Sequence, residues 1–125
     1  MPFLQLFTTL SRSQVPENLG QVLAQTLSTT MRNKPLERIC VHISTDQLIF
    51  SGSHNETNGP LAYGVLRSIG SVELEDNRRT VEAITRIIHE QLKVPQQEIR
   101  FLFDDYSPEK VAMNGKVVTD ILAGK

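Results

Sequence analysis

Cysteine is almost missing from this chain. Cys40 is the only one among 125 residues, so no internal disulfide can form, and within the apolar run Ile39-Cys40-Val41 it reads as a small core residue. No stretch approaches the roughly 18 apolar residues that a membrane-spanning helix requires. The N-terminus lacks a basic segment followed by an apolar stretch and a cleavage site, so the chain is expected to be cytoplasmic as synthesised. Excess charge of either sign is missing too: 13 Lys and Arg against 14 Asp and Glu leave a net charge of −1, with the basic residues dispersed. That excludes the electrostatic footprint of a nucleic-acid binder. His42, His54 and His89 do not fall at metal-ligand spacing with cysteine or carboxylates, and Gly52, Gly59, Gly64 and Gly70 are too scattered for a phosphate-binding loop. Neither a metal nor a nucleotide cofactor is expected. Asn55-Glu56-Thr57 matches a glycosylation sequon, but in a chain without a leader it reads as a polar loop that also holds His54 and Asn58.

What is present is the size of one domain, residues 1–125, long enough to bury well over half of its unfolded surface. Pro2 to Phe7 is a strand-type run. Leu19, Val22, Leu23, Thr26, Leu27 and Met31 recur at helical spacing, with Pro16 suited to a first helical turn. Asn33 and Pro35 form a stop signal, so this helix ends before Lys34. Ile39, Val41 and Ile43 alternate as a half-buried strand, and the apolar run Leu48 to Phe50 suggests a further short one. The second half repeats the order, with a strand from about Leu61 to Leu66, a helix capped by Asp76 and carrying Val81, Ile84, Ile88 and Leu92, and a strand from Ile99 to Phe103. A shift of 60 residues places Leu6 on Leu66, Ser11 on Ser71, Pro35 on Pro95 and Ile39 on Ile99. The chain therefore reads as two duplicated β-α-β units.

Two such units imply an α+β layer, a four-stranded mixed sheet with both helices on one face. Ile39, Val41, Ile43, Ile99, Phe101 and Phe103 are expected to pack on the helices. The alternate set, Cys40, His42, Ala62, Gly64, Leu66 and Leu102, is mixed, and self-association would cover it. Past Tyr106, Val111-Ala112-Met113, Asn114-Gly115 and Val117-Val118 read as a tight turn between short strands.

The chemically suggestive feature is Met1-Pro2. Removal of Met1 before a small residue leaves Pro2 as a free secondary amine. An α-amino group titrates near pH ~7.7–8.0, and desolvation or nearby cations lower that value, leaving it neutral and basic at physiological pH. The same proline would also simply open an edge strand that needs no N–H there.

Pro2-Phe3-Leu4, Val15-Pro16, Asn33-Lys34-Pro35 with Arg38-Ile39, Asp46-Gln47, Ser68-Ile69-Gly70 and Asp76-Asn77-Arg78, in this order and spacing, resemble the macrophage migration inhibitory factor and D-dopachrome tautomerase family. The match runs from Pro2 to about Val118. The resemblance implies a homotrimer whose three sheets form a barrel, with an active site at each subunit interface and the N-terminal proline as general base of a keto-enol tautomerase. Substrates would be small aromatic keto acids or dopachrome-like compounds. Lys34 matches the family's active-site lysine, Arg38 an arginine of the D-dopachrome tautomerase branch, and Ser68 and Ile69 substrate-binding residues that line the pocket beside the proline. Met113, with Val117 or Val118, falls near the apolar pocket rim. Where the family's founding member carries a tyrosine and an asparagine that reach the neighbouring proline, this chain has Arg100 and Leu102. Its redox Cys-x-x-Cys would fall on Leu61 and Gly64, so that chemistry does not carry over. The other implied class is a cytokine-like binding protein, released without a leader, whose Arg12 and Asp46 match a receptor-binding pair.

Overall fold

The structure, a computed structural model, describes residues 1–52 and 59–125; the sequon Asn55-Glu56-Thr57, His54 and Asn58 lie outside the described residues. Four strands, β1 (Phe3–Thr8), β2 (Cys40–Ser44), β3 (Ala62–Ser68) and β4 (Ile99–Asp105), form one sheet in the order β2-β1-β3-β4. Two helices, α1 (Leu19–Thr30) and α2 (Leu74–Leu92), connect the strands of the parallel pairs β1–β2 and β3–β4. The two halves meet through the antiparallel pair β1–β3. Among the described residues no helix is long and apolar enough to cross a membrane.

The duplication is visible in the registers. Phe3 faces Cys40 and Leu6 faces Ile43, while Tyr63 faces Arg100 and Leu66 faces Phe103, the same pairings displaced by 60. Gln5 pairs with Val65, its own counterpart, so an approximate two-fold axis passes between them. The helix exits match as well. Asn33 (φ 58) and Lys93 (φ 60) are left-handed, and Pro35 and Pro95 each begin a 3-10 turn that feeds the next strand. Lys93 is itself the left-handed cap of α2, whereas α1 already ends at Thr30 with Met31 extended, and Asn33 turns the chain two residues later.

Alternation along β1 buries Leu4, Leu6 and Thr8 completely, and their ladder partners define the helix-facing side. On it Val41, Ile43, Ile99, Phe101 and Phe103 pack against a core of Leu23, Leu27, Ile84 and Ile88. Ala62, Gly64 and Leu66 were expected on the other face. They pair with Thr8, Leu6 and Leu4 and so lie on the helix side. Gly64 is needed there, since a Cβ would overlap the Phe101 ring, 2.7 Å from its Cδ1.

The opposite face carries Phe3, Phe7, Tyr63, Val65 and Leu102, with Phe7 and Tyr63 stacked at 4.9 Å between ring centroids. Cys40 lies on this face and is exposed rather than a core residue. The 48–50 run forms no strand within the described chain, and Leu48 and Phe50 are exposed. Pro16 precedes α1, its carbonyl accepting the Leu19 N–H at 3.1 Å, instead of opening the first helical turn. Glu73, not Asp76, is the cap of α2. Asp76 occupies the third helical position of a reciprocal capping box, and its carboxylate accepts the Glu73 N–H at 3.3 Å. In the tail, Asn114 and Gly115, both at positive φ, turn β5 (Ala112–Met113) into β6 (Lys116–Val117), and a short α3 (Val118–Leu122) follows.

Candidate active site at the chain terminus

Pro2 sits just before β1, its side chain fully buried. Its carbonyl accepts the Cys40 N–H at 3.0 Å, which ties the head of the chain to the start of β2. The segment that leaves α1 passes the same point. Asn33 turns the chain by its left-handed backbone, Lys34 follows half-buried, and Pro35 starts the 3-10 turn Leu36–Arg38 that ends in an exposed Arg38. The sequence thus delivers two cations and the chain terminus to one end of the sheet.

Lys34 Nζ donates to the Ile69 carbonyl at 2.5 Å. It also hydrogen-bonds the chain-terminal amine, which in the unprocessed chain belongs to Met1. That amine is lowered from 8.0 to about 6, first by burial, then by the charge and hydrogen bond of Lys34, and last by Arg38. All of these disfavour the ammonium form. At pH 7 the neutral fraction rises from about one-tenth to about nine-tenths. A neutral amine held next to two cations can accept a proton, and the cations can hold an anion.

The remaining sequence-selected residues are placed as follows. Ile69 joins the cluster through its carbonyl, and its side chain is half-buried. Ser68 ends β3 with its side chain buried on the helix side, and its carbonyl accepts the Tyr106 N–H at 2.7 Å. Arg100 is not brought to Pro2 within the chain. It pairs with Tyr63, which faces Phe7, four residues along β1 from Phe3, or about 13 Å at the usual strand rise. There it lines a cavity of about 300 Å³ with Phe50, Tyr63 and Leu102, its Nη1 3.6 Å from Glu98 Oε2. Met113 is half-buried on β5, in the separate two-stranded sheet. Arg12 and Asp46 lie on adjacent loops, joined by the Asp46 N–H to Leu10 carbonyl bond at 2.8 Å. Arg12 also borders a cavity of about 740 Å³ that Thr45 shares, beside the outer strand β2.

One cluster beside the site was read from the sequence only as a helix cap. Asp76, with its side chain 3% exposed, takes two hydrogen bonds from Arg32 and one from Arg79. Arg32 and Asp76 are 44 residues apart, and no local pattern links them. His89 is likewise structural, with Nδ1–H donating to the Val94 carbonyl at 2.8 Å.

Two β-α-β repeats back to back, with a desolvated terminal amine and a lysine at the head of the first strand, define a small α+β domain whose own N-terminus is the candidate reactive group. Residues 1–119 match the macrophage migration inhibitory factor family, and the chain belongs to that family. It is 32% identical over 120 residues to the MIF-like protein mif-2 of Caenorhabditis elegans, covering 96% of this chain and 97% of that one. It is 31% identical over 121 residues to D-dopachrome decarboxylase-B of Xenopus laevis, covering 95% and 98%. The structure of the macrophage migration inhibitory factor from Trichinella spiralis superposes with a TM-score of 0.82 at 28% identity, covering 92% and 98%.

Proposed function

We propose that this protein, once Met1 is removed, is a keto-enol tautomerase that uses the Pro2 amine as general base. The observation that carries the reading is the setting of the chain terminus, where burial, Lys34 and Arg38 lower the Met1 amine to about 6; the same cations and burial would act on the Pro2 amine once Met1 is gone. In the forward step the Pro2 nitrogen takes a proton from the carbon next to the substrate ketone. The electron pair moves to the ketone oxygen, which takes the proton back from the Pro2 ammonium to give the enol and restore the free amine. Lys34 and Arg38 hold the substrate carboxylate and offset the negative charge that develops. Small aromatic keto acids and dopachrome-like compounds fit this chemistry, and the Xenopus relative's name, D-dopachrome decarboxylase-B, supports the second class. Ile69 supplies an apolar wall, and Ser68 supports it by anchoring the end of β3.

The working form is a homotrimer, whose neighbouring subunits complete each site with Arg100 and with Met113 at its rim. Support comes from the apolar sheet face, where Phe3 and Leu102 are 39% and 64% exposed. Further support comes from the outer edges of β2 and β4 and the exposed Leu48 and Phe50. Apolar patches of this kind mark association surfaces.

The test is tautomerisation of an aryl pyruvate and of a dopachrome ester by wild type and Pro2→Gly, after mass spectrometry has established loss of Met1. Activity is expected in wild type and a marked loss in the variant, whose terminal glycine keeps a free amine but changes its basicity and constraint. No turnover of either compound by a trimer with free Pro2 overturns the enzyme reading. It would favour the second one, a cytokine-like binding protein contacting a cell-surface receptor through Arg12 and Asp46, which the adjacency of their loops supports.

A further inference from the structure

Lys34 comes from a segment with little packing of its own, since Asn33, Pro35, Leu36 and Arg38 are all exposed. What holds it starts two residues upstream. Arg32 donates Nε to Oδ1 and Nη2 to Oδ2 of Asp76, each at 2.8 Å, a two-pronged guanidinium–carboxylate pair. Arg79 donates Nη2 to the same carboxylate at 2.7 Å and Nε to the Thr30 carbonyl at 2.8 Å. Ser71 Oγ donates to the Arg32 carbonyl at 2.8 Å, and Lys34 Nζ donates to the Ile69 carbonyl.

The anchors therefore fall on Thr30, Arg32 and Lys34, every second residue of the segment that carries the lysine. Each is received by the first turns of α2 or by the 69–71 turn. A stitch needed only to join two helices could be apolar. Burying a carboxylate instead carries a desolvation cost that its partners must offset, and the return here is a fixed geometry for a flexible lysine.

We propose that Asp76 is a positioning residue for the candidate site: acting through Arg32 and Arg79, it fixes the 30–34 segment so that the Lys34 ammonium stays against the chain-terminal amine and the Ile69 carbonyl. The proposal rests on the reading of that amine as the base.

The experiment follows the amine by ¹⁵N NMR titration in wild type, Lys34→Ala, Asp76→Asn, Arg32→Met and the Lys34→Ala/Asp76→Asn pair, with Ile88→Val as a core-destabilised control. Lys34→Ala is expected to raise the amine's pKa by about half a unit to one unit, because a cation is lost. Asp76→Asn and Arg32→Met are expected to raise it as well, with the double variant showing no further rise. The direction is diagnostic for Asp76→Asn. Deleting a carboxylate leaves Arg32 and Arg79 unneutralised, and that extra positive charge alone lowers a neighbouring amine's pKa, so a rise reports displacement of Lys34. Arg32, 61% exposed, is itself a cation, so Arg32→Met is also made in a Lys34→Ala background: only a rise that disappears there reports displacement of Lys34, and on that reading it carries the test if Asp76→Asn does not fold. A Lys34→Ala rise that neither Asp76→Asn nor Arg32→Met reproduces overturns the proposal, as does a rise equal in Ile88→Val, additivity in the double variant, or an amine unmoved by Lys34→Ala. The titration needs no turnover, so an inactive wild type would overturn the tautomerase reading while the positioning of Lys34 is still decided.

Discussion

Gly64→Ala is expected to destabilise the protein by about 1–2 kcal/mol. Gly64 lies mid-strand on the helix side of β3, opposite Leu6 on β1 and Phe101 on β4. An added Cβ would overlap the Phe101 ring and come within 3.2 Å of the Gln5 carbonyl oxygen. Phe101 packs against the core, so its ring cannot swing aside without opening a gap or crowding a neighbour. Overpacking of this kind costs about 1–3 kcal/mol. The loss of chain freedom in the unfolded state returns about 0.4–1 kcal/mol when glycine becomes alanine at a compatible backbone. The difference leaves about 1–2 kcal/mol. With a urea dependence of about 1.5 kcal/mol per molar, the midpoint of urea unfolding should fall by about 1 M at unchanged slope. Protein concentration must be held fixed, since an oligomer's stability depends on it. In a Phe101→Leu background the same alanine should cost markedly less, because the shorter side chain vacates the space. Equal midpoints for wild type and Gly64→Ala, or equal costs in the two backgrounds, would refute the reasoning.

Three further outcomes are expected. The Arg32 and Arg79 guanidiniums hold the Asp76 carboxyl well below the usual carboxylate range, so its stabilisation is complete above the ordinary value of 3.8 and is lost as pH falls below it; in Asp76→Asn the decline in chemical-denaturation stability below about pH 4 should flatten. Ile88→Ala should cost about 2–5 kcal/mol, the range for emptying a fully buried aliphatic site, read as a lowered urea midpoint with activity per folded molecule unchanged. Leu102→Asp places a charge on the open sheet face and should shift sedimentation toward the monomer; an unchanged trimer would show that this face is not the association surface.

The duplication was legible because its markers are local. Pro35 and Pro95 mark the connections after the two helices, and the apolar periods change from helix to strand immediately after each, so both β-α-β units and their order follow from spacing alone. Which face of β3 meets the helices did not. Alternation separates two faces without naming them, and β3 buries apolar residues on each, Ala62 and Leu66 on one side and Val65 on the other. Cys40 misled for a related reason, since an apolar run cannot tell a core position from an open sheet face. The cap of α2 slipped by three residues because Glu73 and Asp76 are both acidic and bond reciprocally. The five residues of α3 are too few for a helical period. At the site, Pro2 was suspect from its position, whereas Lys34 and Arg38 became candidates only through the family's motif, because a lysine after a helix is otherwise unremarkable. The Arg32–Asp76 pair is a product of the tertiary fold, and nothing within a helical turn of either residue announces it.

The central claim, that the amine of Pro2 is the base, is tested most directly by separating the Met1-bearing and Met1-free forms of this chain and measuring aryl pyruvate tautomerisation by each. The mechanism predicts that turnover belongs to the Met1-free form and is lower by about 100-fold or more when Met1 remains, the contribution of a positioned general base. Equal turnover by the two forms would contradict it, because a Pro2 nitrogen locked in a peptide bond cannot accept the proton.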